Sequence, residues 1–239
     1  MTTDRRLYDM DLGRRDHARW LGSNRYAGGA PLTLPTANLL AAYDARVGVT
    51  NVSGACSAWA DQSGNGWHAS QGTAGSRPTI TTTGGFASLQ FDGTADFLNV
   101  PSITASAGTK TIYCVQSQTT FGGYRAMFDS ATGRLFCGAL VSGSLGLYDT
   151  TDRSSGISAA VGLSRITFTC GGGASRVWRG ATAGTAAAWG ADSAIGGATR
   201  IGCGSAGGLN FGGHIIALFV YTAARNTAVE DYITQEWGV

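Results

Sequence analysis

Charge is scarce in this chain. Asp, Glu, Lys and Arg make up 13% of its 239 residues, against about 25% in an average soluble protein. Lysine occurs once, at Lys110, and glutamate twice, at Glu230 and Glu236. A net charge of +2 is far below what strong phosphate binding requires, which sets nucleic acid aside as a partner. No apolar run approaches membrane-spanning length, and residues 1–30 lack the apolar core of a secretory signal, so no membrane partner is expected. The five cysteines (Cys56, Cys114, Cys137, Cys170 and Cys203) form no C-x-x-C pair, and four of them lie in apolar, strand-like runs. They read as buried free thiols of a protein made in a reducing cytoplasm.

Glycine is abundant instead, with 37 residues against only 4 prolines. Short apolar runs between glycine-rich turns argue for one large all-β sandwich. The stretch from Ala58 to Asp96 organises it. Trp59-Ala-Asp61-Gln-Ser-Gly64-Asn65-Gly66 puts residues that tolerate positive φ at a tight reversal, where Asp61 can bond the backbone two residues on. Arg77-Pro78 follows, and then Phe91-Asp92-Gly93 makes a second reversal before Asp96. Trp59 and Phe91 are the heavy core anchors on either side.

This W-x-D-x-S-G-N-G … R-P … F-D-G order resembles the laminin-G-like and pentraxin-like branch of the concanavalin A-like lectin/glucanase superfamily. The run Gly213–Tyr221, followed by Val229-Glu-Asp-Tyr232-Ile and Trp237-Gly238, is similar to that family's ending, where a buried strand leads into a short closing helix. The resemblance covers residues 36–239 and implies a jelly-roll β-sandwich. It implies little about activity, because the fold hosts lectins, hydrolases and structural modules.

In chain order, residues 1–34 form a polar arm in which Arg5, Arg6, Arg14, Arg15, Arg19 and Arg25 alternate with Asp4, Asp9, Asp11 and Asp16. Leu7, Met10, Trp20 and Leu21 give it apolar points that a partner or a neighbouring copy could bury. Residues 35–239 are read as the jelly-roll domain. Asn38–Asp44 is the first strand, and Thr109–Ser117 alternates as a sheet strand should. Two hairpins are expected, one from Arg134–Leu140 with Ser144–Tyr148, the other from Ser164–Cys170 with Ser175–Gly180. Thr222 is expected to cap a final helix with Val229, Ile233 and Trp237 on its inner face.

Because the resembled superfamily includes glycosidases, retaining hydrolysis is tested first. It needs two carboxyl groups about 5–5.5 Å apart, commonly on one strand, and no Glu-x-Asp-x-Glu run occurs. No Gly-x-Ser-x-Gly elbow or P-loop occurs either. A non-enzymatic chain is therefore expected, with no cofactor. Calcium is a minor expectation, since the resembled relatives often bind it through loop oxygens such as those of Asp61, Asn65, Asp92 and Asp96. The reading this supports is a structural or adhesion component of a bacteriophage virion, such as a capsid decoration or tail-associated protein assembled in the host cytoplasm. Its arm would bind capsid or tail proteins and neighbouring copies through Arg5, Arg6, Leu7, Met10, Arg14, Arg15, Trp20 and Leu21. The alternative is a lectin-like module for host surface glycans, with Trp67, Tyr124, Tyr148 and Trp189 as stacking candidates because each lies beside a glycine or a turn.

Overall fold

The computed structural model describes residues 32–239 except 102, 133–134, 149–150, 172–174 and 188–193. Its first strands are β1 (Leu39–Asp44), β2 (Val49–Val52), β3 (Ala55–Trp59), β4 (Ala69–Ser70), β5 (Thr79–Thr83), β6 (Phe86–Asp92) and β7 (Leu98–Asn99). Then come β8 (Lys110–Gln118), β9 (Arg125–Ser130), β10 (Leu135–Ala139), β11 (Ser144–Tyr148), β12 (Asp152–Ser158) and β13 (Ser164–Cys170). The last are β14 (Arg176–Arg179), β15 (Thr182–Ala183), β16 (Thr199–Ile201), β17 (Gly212–Tyr221) and the helix α1 (Thr227–Trp237). The expected all-β sandwich with a closing helix is what these elements build.

β17 sits at the centre. Every residue of it but His214 is buried, so it needs cover on both faces and a hydrogen-bond partner along both edges. β8 takes one edge, with Leu218 opposite Cys114. The other edge is shared, β6 pairing with Gly212–Ile215 and β1 with Ala217–Tyr221. β13, β14 and β15 extend this layer beyond β8, and β5 extends it beyond β6. The second layer runs β2, β3, β4, β7, β16, β9, β10, β11, β12. Backbone bonds stitch the layers together among the described residues: Ala55 of β3 pairs with Thr79 of β5, the Thr185 amide donates to the Ser155 carbonyl at 2.8 Å, and the Phe211 amide donates to the Gly202 carbonyl at 2.9 Å.

Strand alternation sorts the side chains into separate clusters. Ile112 and Cys114 of β8, Leu218 and Val220 of β17, and Met127, Cys137 and Leu147 of the second layer meet in the main core with Trp59 and Phe91. Tyr113 and Val115, one residue out of phase, point the other way onto α1 with Phe219 and Tyr221. An 11-residue helix is marginal alone in water. Burial of Val229, Ile233 and Trp237, at roughly 1.5–3 kcal/mol per side chain, decides the matter. Two ion-paired groups add orientation: Arg46 reaches Asp44 and Glu236, both at 2.6 Å, and Arg225 and Arg165 converge on Glu230. The helix is capped by Asn226, whose side chain accepts from the Ala228 amide, rather than by Thr222. Thr222 lies one turn too early, tied to the start of β1 by its amide and hydroxyl, which donate to the Asn38 carbonyl at 2.9 and 3.4 Å. Gly238 ends the helix at φ 72° as a left-handed stop.

The Asp61 turn is the tie between the first strand and the glycine-rich loop. Its carboxylate accepts from the amides of Ala42, Ser63 and Trp67 at 2.9, 2.9 and 3.0 Å, and from the Ser63 hydroxyl at 2.7 Å. Asn65 reinforces this by donating to the Leu39 and Leu40 carbonyls. Asp61→Ala leaves the Ala42 and Trp67 amides without their acceptor, at about 1–3 kcal/mol for each unsatisfied group. Urea unfolding of the variant should show a loss of about 2–5 kcal/mol with an unchanged slope; a loss within error of zero would refute the role.

Candidate functional site

The outer face of the second layer, away from α1, carries its own aromatic cluster. Phe136 of β10 and Tyr148 of β11 are direct cross-strand partners, and Tyr124 enters from the loop before β9. The Tyr124 ring meets Phe136 and Tyr148 edge to face, each at a centroid distance of 5.9 Å. Together with Leu209 these three rings line a half-open cleft of about 170 Å³. The Tyr124 hydroxyl donates to Asp152 Oδ1 at 2.8 Å, and Asp152 is the register partner of Tyr148. That hydrogen bond to a carboxylate, with some burial, raises the Tyr124 pKa.

Two glycines make the cleft possible. Gly138 and Gly146 are paired across β10 and β11, and both face outward between the rings. A Cβ on Gly138 would stand 2.0 Å from the Arg125 carbonyl and 3.0 Å from the Phe136 ring; one on Gly146 would stand 2.4 Å from Leu140. Without side chains there, Phe136 packs beside Gly138 and lines the cleft, and Leu140 packs beside Gly146 beneath it.

The loops around the cleft are tied together by Arg125. Its guanidinium donates to the carbonyls of Gly122, Gly93 and Asn210 at 3.0, 3.1 and 3.0 Å. The Ala126 amide donates to the Leu209 carbonyl at 2.8 Å, and the Asn210 side chain donates to the Thr94 carbonyl. The Asp92–Asp96 turn is thereby drawn to the same end of the sandwich. Its two carboxyl groups differ in state. Burial pushes Asp92 upward, but the Thr94 hydroxyl and the amides of Ala95, Thr94 and Asp96 outweigh it and hold Asp92 down at about 2. Burial and the charge of Asp92 push Asp96 up to about 6, against one amide bond from Asp92.

Of the four stacking candidates, Tyr124 and Tyr148 come together in the cleft. Trp67 does not join them: it packs half-buried against the main core, its amide on Asp61 and its carbonyl accepting the Tyr43 hydroxyl. Trp189 lies outside the described residues, as do Arg5, Arg6, Leu7, Met10, Arg14, Arg15, Trp20 and Leu21 of the arm. Phe136, Leu209 and Asp152 are cleft residues that sequence reasoning missed. Phe136 was findable from the register of the expected hairpin; Leu209 carried no signal, being one apolar residue in a glycine-rich loop. Among the calcium candidates, Asp61 and Asn65 are occupied by the backbone of β1 and their own turn, and Asp92 by the amides of its turn. Among the described residues no three His, Cys, Asp or Glu side chains gather as a metal set.

No family model matches the sequence, and no curated protein matches it either. Solved structures do share the fold. Domain 4 of AbnA, an extracellular GH43 arabinanase from Geobacillus stearothermophilus, was solved in complex with arabinotriose. It superposes with a TM-score of 0.58 at 15% identity, over 82% of this chain and 98% of that domain. Trypanosoma rangeli sialidase in complex with the inhibitor DANA matches with a TM-score of 0.56 at 12% identity, over 93% of this chain but only 37% of its own. An arabinofuranosidase complexed with arabinofuranosyl-alpha-1,2-xylobiose gives 0.58 at 15% identity, over 76% of this chain and 50% of that one.

These similarities correct two expectations. The virion reading is overturned, because the arabinanase domain, the sialidase and the arabinofuranosidase that share the fold are proteins of glycan chemistry and not of viral shells. That reading rested on the absent secretory signal, the polar arm and the missing catalytic acids, and none of them says what the sandwich itself contacts. The expectation of a non-enzymatic chain is corrected too, since glycoside hydrolases are among the proteins that carry this fold. It had been drawn from the absence of a strand-borne set of acids, of a nucleophile elbow and of a P-loop. Asp92 and Asp96, two carboxyl groups of different proton affinity, are both engaged within their own turn.

Asp96 offers a direct check of that turn. A folded pKa of about 6 against the ordinary 3.8 means that the folded state holds an extra proton between those values, so this group's contribution falls as pH rises through them. Asp96→Asn removes the ionisation and keeps an acceptor for the Asp92 amide. The difference in Tm, variant minus parent, should become more positive from pH 4 to pH 7; a difference that stays flat would place the carboxyl at its ordinary pKa.

Proposed function

We propose that this chain is a glycan-binding domain whose ligand lies in the cleft of Tyr124, Phe136, Tyr148 and Leu209. The observation that carries this is the convergence of Tyr124 and Tyr148, two aromatics from separate segments, onto one apolar-floored cleft with the Asp152 carboxylate at its edge. Sugar rings present C–H faces that pack on aromatic surfaces and hydroxyl rims that hydrogen-bond to carboxylates. A cleft of rings with one acceptor at the mouth offers both. The arabinanase domain that shares the fold over nearly its whole length was solved with a bound arabinose oligomer, which supports the same class of ligand. In this reading residues 35–239 form the binding unit, and residues 1–34 are a polar arm ahead of it.

Calorimetry against arabino-, xylo-, galacto- and gluco-oligosaccharides, with sialylated glycans alongside, tests the proposal. Release of reducing ends, followed in the same mixtures, reads out any turnover. At least one glycan class should bind, and Tyr124→Ala and Tyr148→Ala should each weaken it tenfold or more, about 1.4 kcal/mol, without loss of β-type circular dichroism. Binding that survives both substitutions would put the site elsewhere.

A further inference from the structure

We infer that the groove beside the last turn of α1 is a docking site for this chain's own Arg25-Tyr26, the Tyr26 ring lying on the groove and Arg25 meeting the helix end. The groove has a volume of about 490 Å³, and its lining includes Gly84 and Phe86 of the β5–β6 hairpin, Leu163 ahead of β13, and Gln235, Trp237 and Gly238 at the end of α1. It lies on the helix side of the sandwich, away from the aromatic cleft, so the inference stands apart from the glycan reading. Where the described chain begins is the first argument for the occupant. The Pro35 carbonyl accepts the Tyr221 hydroxyl at 2.6 Å, and Leu34 packs half-buried on the cluster that contains Phe86 and Trp237. The Leu32 amide then donates to Gln235 Oε1 at 2.7 Å. Followed upstream, these contacts carry the chain from the end of β17 to the last turn of α1, and they stop at a residue that lines the groove. The residues before Leu32 are therefore delivered to its rim.

The second argument is what comes next along the chain. Pro31, Ala30, Gly29, Gly28 and Ala27 are all compact, and Tyr26 is the first large side chain back. It stands six residues before Leu32, a reach of at most about 20 Å of extended chain; Trp20 is twice as far. A tyrosine has an apolar body and a polar tip, which matches a lining that mixes Phe86, Leu163 and Trp237 with Thr234 and Gln235. The third argument is charge. The C-terminal end of a helix carries a partial negative charge, and the last turn of α1 holds no basic residue of its own. Residues 1–31 supply six arginines, and the one nearest the groove along the chain is Arg25, next to Tyr26. Docked in this way, the segment enlarges the apolar cover over Phe86 and Trp237 and fastens the end of α1 from outside.

Trypsin cleavage after Arg25 in the full chain, followed by mass spectrometry, tests the docking, because cleavage of a closed segment tracks how often it opens. Tyr26→Ala and Leu163→Glu should each speed that cleavage tenfold or more, and the double variant no more than either alone, since both remove one contact. The rate in the parent should be unchanged on dilution, as a contact within one chain requires. If Leu163→Glu loses its β-type circular dichroism, Gln235→Ala, which removes the acceptor of the Leu32 amide, takes its place with the same expectation. A Tyr26→Ala variant cut at the parent's rate would overturn the inference, and so would a groove variant cut at that rate. Protection that fades on dilution, together with a dimer in sedimentation, would put a second copy's segment in the groove and overturn it as well.

Discussion

A strand buried on both faces cannot stand alone, and most of this architecture follows from that constraint on β17. Its amides and carbonyls are met by β8 along one edge and by β1 and β6 along the other, because a buried backbone group without a partner costs about as much as a lost hydrogen bond. Its side chains need two separate apolar covers. The second layer supplies one, with Leu218 and Val220 in the main core; α1 supplies the other, on Phe219 and Tyr221. The helix therefore marks which outer face is occupied. The opposite outer face, over β9, β10 and β11, carries the aromatic cleft.

Much of the sandwich was legible in the sequence because its signals were local. The Asp61 turn, the Phe91-Asp92-Gly93 reversal and the apolar Gly213–Tyr221 run each declare a conformation through their own residues. Trp59 and Phe91, read as core anchors, are both buried. The helix cap was misplaced because Thr222 and Asn226 are both capping residue types, Asn being the better of the two. The choice was made by a distant partner, the Asn38 carbonyl that engages the Thr222 amide.

The cleft was half legible for the same reason. Tyr124 and Tyr148 stood out beside turns, but their meeting depends on the register of β9, β10 and β11, which places Phe136 opposite Tyr148 and Gly138 opposite Gly146. A one-residue slip would turn all four to the core. Leu209 is further still from its sequence neighbours' logic, since its place is fixed by the Ala126 amide and by the loop that Arg125 ties down. Trp67 shows the converse: an aromatic beside a glycine turn, drawn inward because Asp61 holds its amide.

The scarcity of glutamate acquires a different meaning once the ion pairs are known. Glu230 is engaged by Arg225 and Arg165, and Glu236 by Arg46, so both fasten α1 to the first layer. Their number says nothing about chemistry elsewhere on the molecule. Two aspartates at this end are held in place, Asp152 at the start of β12 by a tyrosine hydroxyl and Asp92 by the backbone of its own turn. A shorter side chain bonded to its own turn is fixed in place more firmly than a long, free one, because fewer rotamers must be frozen. In a chain so poor in charge, a few carboxylates held this way define the polar edge of a surface otherwise made of rings and glycine.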